Sequence, residues 1–285
     1  MKISNGLITA QFKPAGAEIT SLKKGNVEYL WQSDPKHWGR HAPVLFPIVG
    51  KLKNNEYAFA GQTFEMGQHG FARDMEFEVE SHTVEHITFI LRSSENTLKK
   101  YPFPFVLKIA YFLSENALET KYEIHNPSSS EMYFSIGGHP AFNCPMTAAE
   151  SRSDYWLRFD QQEKLESHLL KDGVFNGETF AVPMDHSKLY ITNDLFDRDA
   201  LVFKNLNSDH VTLESELGKW LTFHFEGFPY LGIWSKSDKS PFVCIEPWFG
   251  LADHSSHDGD FIKKEGIQRL EPKDVFSCVY KVELH

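Results

Sequence analysis

Short alternating runs of apolar and polar residues dominate the first half of the chain, and runs with a helical period are scarce. Leu7-Ile8-Thr9-Ala10-Gln11-Phe12 and Ala17-Glu18-Ile19-Thr20-Ser21-Leu22 flank Pro14-Ala15-Gly16, which predicts a hairpin. Glu28-Tyr29-Leu30-Trp31 reads as the next strand. Tyr57-Ala58-Phe59 and Thr63-Phe64-Glu65-Met66, on either side of Ala60-Gly61-Gln62, read as a second hairpin. The strict alternation of Met75-Glu76-Phe77-Glu78-Val79-Glu80 predicts a strand with one buried and one wet face. Further strands are expected at 87–92, 106–113 and 118–125. Ser94 to Lys100 is a candidate helical turn, stopped by Tyr101-Pro102-Phe103-Pro104.

From about Ala148 to Leu201 the pattern loosens into charged and short polar stretches, which predicts long loops. Strands resume at 211–215, 220–225, 231–235 and 242–247, and the chain closes with 276–284. Many short strands, little helix and no βα alternation define an all-β fold, a large antiparallel sandwich or barrel. No stretch between the strand groups resembles a boundary, so residues 1–285 are expected to form a single domain.

Composition sharpens this picture in three places. The 24 phenylalanines and a hydrophobic share of 41% support a substantial core, and aromatics also line ligand-binding clefts. A formal charge of −10 argues against nucleic acid or an anionic membrane as partner. Cys144, Cys244 and Cys278 are odd in number and lack a C-x-x-C spacing, so a disulfide framework is not expected and a reducing cytoplasm fits. The N-terminal residues show no signal-peptide core, and no apolar run reaches membrane-spanning length.

Three clusters carry candidate chemistry, and a fourth stretch joins them. After the apolar run Met132-Tyr133-Phe134-Ser135-Ile136 come Gly137-Gly138-His139-Pro140. The glycines permit a bend or a close approach, and the histidine titrates nearest neutrality. Val243-Cys244-Ile245-Glu246-Pro247-Trp248-Phe249 sets a carboxylate among apolar neighbours, where lost hydration raises its pKa and suits it as a base. The competing account is a glutamate facing outward from an edge strand. Cys244 shares the face of Glu246 by alternation and reads as core. Gln68-His69-Gly70-Phe71-Ala72-Arg73-Asp74 could equally be a solvated loop with an ordinary ion pair. In Trp38-Gly39-Arg40-His41-Ala42-Pro43, Arg40 offers a fork of donors to ligand oxygens, although spacing alone favours a surface salt bridge. Fourteen histidines show no zinc-ligand spacing, and no phosphate loop, dinucleotide fingerprint or nucleophile elbow occurs. The chemistry must then suit histidine, glutamate and arginine without a cofactor or metal.

With these stretches in order, the chain resembles the aldose 1-epimerase (galactose mutarotase) family, and most closely its LacX-like branch. The matching segments are Arg40-His41-Ala42-Pro43-Val44-Leu45-Phe46-Pro47, Gln68-His69-Gly70-Phe71-Ala72-Arg73, Gly138-His139-Pro140-Ala141-Phe142-Asn143 and Cys244-Ile245-Glu246-Pro247-Trp248. The resemblance implies a large β-sandwich with a sugar in a cleft across one sheet, and interconversion of α and β anomers through ring opening. It implies Glu246 as the base at the anomeric hydroxyl, His139 as the acid at the ring oxygen, and His69 as a second histidine near that oxygen. Arg40 would match a substrate-binding arginine, and Asp199 a sugar-binding aspartate, with Asp197 close enough to compete. Arg73, Phe142 and Trp248 complete the expected substrate contacts, and Trp38 could stack on a sugar.

These roles require Glu246 ionised and His139 protonated, and a carboxylate near His139 is expected to raise its pKa. Two other readings stay open. One is an epimerase of a hexose 6-phosphate, which needs basic groups such as Arg40, Arg73 and Lys51 at the cleft. The other is a non-catalytic carbohydrate-binding or regulatory protein on the same fold. The expected partner is a small sugar, and monomer and homodimer are both compatible with the sequence.

Overall fold

The computed structural model describes residues 1–285. The chain runs through 25 strands and a single one-turn α-helix. That helix, Glu95–Leu98, forms where the helical turn is expected, capped by Ser94: its Oγ accepts from the Thr97 amide at 3.3 Å. No helix is long and apolar enough to cross a membrane.

Two antiparallel sheets carry the architecture. The larger has nine strands, in the order Lys188–Tyr190, Tyr155–Phe159, His210–Ser215, Gly218–His224, Val275–Leu284, Ala117–His125, Val106–Ser114, His86–Arg92 and Glu78–His82. Its centre is the last strand of the chain, paired from Ala117↔Glu283 to His125↔Val275 on one side. Period-two burial is clear there: Leu118, Thr120, Tyr122 and Ile124 are buried, and the residues between them are partly exposed.

The smaller sheet is ordered Leu201–Lys204, Tyr230–Trp234, Phe242–Phe249, Ile136–Gly138 and Val44–Leu45, with Ala141–Asn143 also paired to Phe242–Phe249. Alternation splits its residues between two environments. Leu201, Phe203, Leu231, Ile233, Val243 and Ile245 enter a core cluster of 62 buried residues that reaches from Ile3 to Leu284. Val202 and Trp248, with Phe242 and Cys244, belong to separate small clusters on the opposite face. That second face carries the site.

Three expectations are corrected. The strand expected at 75–80 begins at Glu78, because Ala72–Asp74 forms a 3-10 turn, and it is an edge strand with Val79 exposed. Glu28–Trp31 is a strand only at its start: Val27–Glu28 pairs with Lys23 and Lys24, and Leu30 then bridges to Phe142. The stretch from 148 to 201 is not a set of long loops, since Tyr155–Phe159, Glu166–Lys171, Val174–Ala181 and Lys188–Tyr190 are strands. The turn of the middle hairpin is Asp172-Gly173, with φ of 55° and 83°. An Asp-Gly pair with both φ positive closes a two-residue hairpin without splaying its strands.

Candidate active site

Phe242–Phe249 places Phe242, Cys244, Glu246 and Trp248 on one face at intervals of two residues. Across the neighbouring strand, Gly232 lies opposite Glu246, and Tyr230 opposite Trp248. On the other side Gly137 lies opposite Trp248. A Cβ on Gly232 would stand 2.4 Å from the Trp248 ring, and one on Gly137 would stand 2.6 Å from it. The indole therefore lies flat across two strands, in a slot that only glycines leave open. Gly138 faces the other way, where a Cβ would come within 3.0 Å of the Tyr122 hydroxyl. The glycine pair thus serves close approach on both faces of the sheet, not a left-handed bend.

His139 follows this pair. Its amide donates to the Pro43 carbonyl at 3.1 Å, which ties the strand end to the Arg40–Pro47 segment. Its Nε2 lies 3.3 Å from Oε1 of Glu246. Trp38 stacks on the imidazole at 4.8 Å between centroids, and Trp234 and His69 meet it edge-on at 5.5 and 5.7 Å. His69 is fixed by two bonds to Gly50: its amide donates to the Gly50 carbonyl at 2.8 Å, and its Nδ1 accepts from the Gly50 amide at 3.1 Å. An Nδ1 that accepts carries no proton, so the neutral ring bears its hydrogen on Nε2 and can donate.

These groups line a cavity of about 340 Å³, the size of a small-molecule pocket. Glu246, His139, His69, Arg73, Asp199 and Trp248 all reach its wall. So do Trp38, Trp234 and Phe175. Asp199, with φ of 76°, faces the cavity, whereas Asp197 does not. Leu170, Gly173 and Phe175 come from the Asp172-Gly173 hairpin, so the stretch read as loops supplies a wall.

Two expected substrate contacts fall elsewhere. Phe142 is fully buried in the main core, 6.0 Å from the Phe223 ring, because it alternates out of phase with Ala141. Arg40 stops short of the lining and donates to Asp74 Oδ1 at 2.8 Å. Arg73 is the arginine that lines the cavity, and it holds the Gln68 carbonyl at 2.8 Å.

The electrostatics also depart from expectation. A carboxylate does stand beside His139, but it does not raise the histidine's pKa. Burial lowers the imidazole to about 3, and the nearby positive charges of Arg73 and Arg40 act in the same direction. Burial pushes the Glu246 carboxyl well above the usual carboxylate range, and Asp199 adds to this. Burial also lowers His69, reinforced by His139, Arg73 and Arg40. Desolvation outweighs the mutual attraction of the pair and favours the uncharged form of each, a neutral imidazole and a protonated carboxyl.

A β-sandwich with a buried histidine–glutamate pair over one sheet defines a class that comparison with known proteins makes specific. A family model described as Aldose 1-epimerase matches residues 1–268. The chromosomal protein LacX of Lactococcus lactis subsp. lactis is 34% identical over 296 residues, covering 100% of this chain and 99% of that one. Among solved structures, a galactose mutarotase related enzyme from Lactobacillus acidophilus superposes with a TM-score of 0.95 at 40% identity, over 100% of this chain and 97% of that one. A galactose mutarotase-like protein from Lactobacillus casei gives 0.93 at 34% identity, over 100% and 99%. The chain belongs to the aldose 1-epimerase family.

Trp234, Phe175 and Lys236 are cavity residues that the motifs do not mark. Alternation within Leu231–Ser235 places Trp234 opposite Cys244, and an alternating partner of a known site strand is the signal that could have found it.

Proposed function

We propose that this protein interconverts the α and β anomers of an aldohexose by acid-base ring opening, with Glu246 and His139 as the proton-transfer pair. The observation that carries this reading is their 3.3 Å separation on the wall of a sugar-sized cavity. In the cyclic sugar's complex the shared proton sits on His139. The Glu246 carboxylate takes the proton of the anomeric hydroxyl, its O–H electrons form the C1 carbonyl, and the C1–ring oxygen bond breaks. His139 gives its proton to the departing ring oxygen. This leaves Glu246 protonated and His139 neutral, the forms that burial favours for each.

Rotation about C1–C2 presents the other carbonyl face. Closure then runs the same transfers backward, from His139 as base and Glu246 as acid. Both directions use one proton, and neither consumes a base or acid from solution. In this reading the Nε2–H of His69 donates to the ring oxygen, and Asp199 and Arg73 hold hydroxyls; what supports it is that all three line the cavity and that His69 Nδ1 already accepts from Gly50. Polarimetry on freshly dissolved α-anomers of glucose and galactose tests this. Glu246→Gln and His139→Asn should each lose about 10²–10⁴ in rate, and full activity in both would overturn the assignment.

Lys236 favours a second reading. It lines the cavity and adds a second cation there beside Arg73, so a phosphorylated hexose is a rival substrate. Comparing kcat/KM on free and 6-phosphorylated hexoses, with Lys236→Gln as control, separates the two.

A further inference from the structure

We propose that Cys244, His139 and Glu246 form a binding site for a thiophilic divalent cation such as zinc, set into the wall of the cavity, and that its occupation arrests proton transfer. The Cys244 Sγ, a ring nitrogen of His139 and a carboxylate oxygen of Glu246 all lie within 4.8 Å of one another. Each side chain is buried, with Cys244 at 0%, Glu246 at 2% and His139 at 8% exposure. The convergence follows from the sheet. Cys244 and Glu246 share one face of a strand two residues apart, and Ala141, two residues beyond His139, pairs with Cys244.

Sulfur, nitrogen and oxygen donors in a set of three match the protein ligands of an open zinc site, and the cavity leaves a fourth position for water. Tetrahedral zinc with bonds of about 2.0–2.3 Å needs ligand atoms roughly 3.3–3.8 Å apart. His139 and Glu246 already stand at 3.3 Å. The thiol, within 4.8 Å of both, has to close to bonding range.

Charge favours the same outcome. Zinc binding displaces the protons of its ligands, including a thiol proton that burial and the neighbouring Glu246 hold more firmly than usual. The divalent cation then faces one thiolate, one carboxylate and one neutral imidazole, and the complex is neutral. A neutral complex avoids the desolvation cost that an unpaired ion would incur at this depth. Thiolate and imidazole select zinc over magnesium or calcium, which require oxygen donors. Because the thiol at least must lose its proton, affinity should rise with pH.

Binding does not depend on the proposed function, whereas inhibition does: a metal on both members of the pair leaves no proton to transfer. The test titrates the wild-type protein and Cys244→Ala with zinc chloride, and with cobalt(II) as a spectroscopic substitute. The wild type should take up one metal tightly, lose mutarotation in step, and recover it with a chelator. Its cobalt form should show a thiolate-to-metal charge-transfer band in the near ultraviolet. Cys244→Ala should keep its metal-free activity, lack the band, and need about 10- to 100-fold more zinc for inhibition.

Cys244→Ser, nearly isosteric, should behave likewise and guards against a packing defect. The Asp253–His257 pair, 2.7 Å apart and outside this cavity, can bind metal without a thiolate band. A wild type without the band, or a Cys244→Ala equally sensitive to zinc, overturns the proposal. A thiolate band in a protein that epimerises no sugar leaves the metal site standing and removes the proposed function.

Discussion

Nε2 of His139 stands 3.3 Å from Oε1 of Glu246, and burial shifts the two side chains in opposite directions, His139 down and Glu246 up. Such a pair titrates as a unit. Its lower step adds a second proton, and its upper step removes the last one. Burial separates these steps, by lowering His139 to about 3 and raising Glu246.

The rate should therefore be flat across neutral pH. Its acid limb should lie well below the usual histidine value of about 6.5, and its alkaline limb above the carboxylate range. Arg40 touches neither the cavity nor the pair, yet its charge lowers His139. Arg40→Gln should move the acid limb of kcat/KM, which reports the free enzyme, to higher pH. A bell centred between ordinary glutamate and histidine values would contradict this.

Trp38 stacks on His139 at 4.8 Å with 25° between the rings. The indole face favours imidazolium over imidazole, by about 0.5–2 kcal/mol when water is excluded. Trp38→Leu should reduce kcat by about 2- to 30-fold, and Trp38→Phe by less. An unchanged kcat with a raised KM would make Trp38 a sugar platform instead.

Asp199 and Asp197 separate cleanly. Asp199 lines the cavity and Asp197 lies outside it. Asp199→Ala should raise KM by about tenfold or more, the loss of one charged hydrogen bond, while Asp197→Ala leaves it unchanged. Initial-rate polarimetry on both variants reads the difference.

Gly232→Ala should destabilise the fold by about 1–3 kcal/mol, because its Cβ would lie 2.4 Å from the Trp248 ring. In a Trp248→Leu background the same change should cost much less, a coupling that urea unfolding of the four proteins measures. Additive effects would show that the indole does not occupy the glycine slot.

Much of this architecture was legible in local pattern. Val106–Ser114 and Ala117–His125 alternate so regularly that they form strands nearly as bounded in the sequence, since a half-buried strand depends on its own period of two. The Glu166–Ala181 hairpin was not legible by that route. Its strands are edge-like and polar, and only Asp172-Gly173 marked it.

By itself the sequence determined the strand-rich class, the four motif segments and the residue types able to move protons. Alternation even placed Cys244 beside Glu246. Tertiary structure decided the rest, because cross-strand register and enclosure are not local properties. It sent Phe142 to the core and Asp199 to the cavity, and of the two expected arginines it kept Arg73 on the wall and left Arg40 off it. It also set the charge of His139: a neighbouring carboxylate argues for imidazolium, but burial of both partners costs more than their attraction returns.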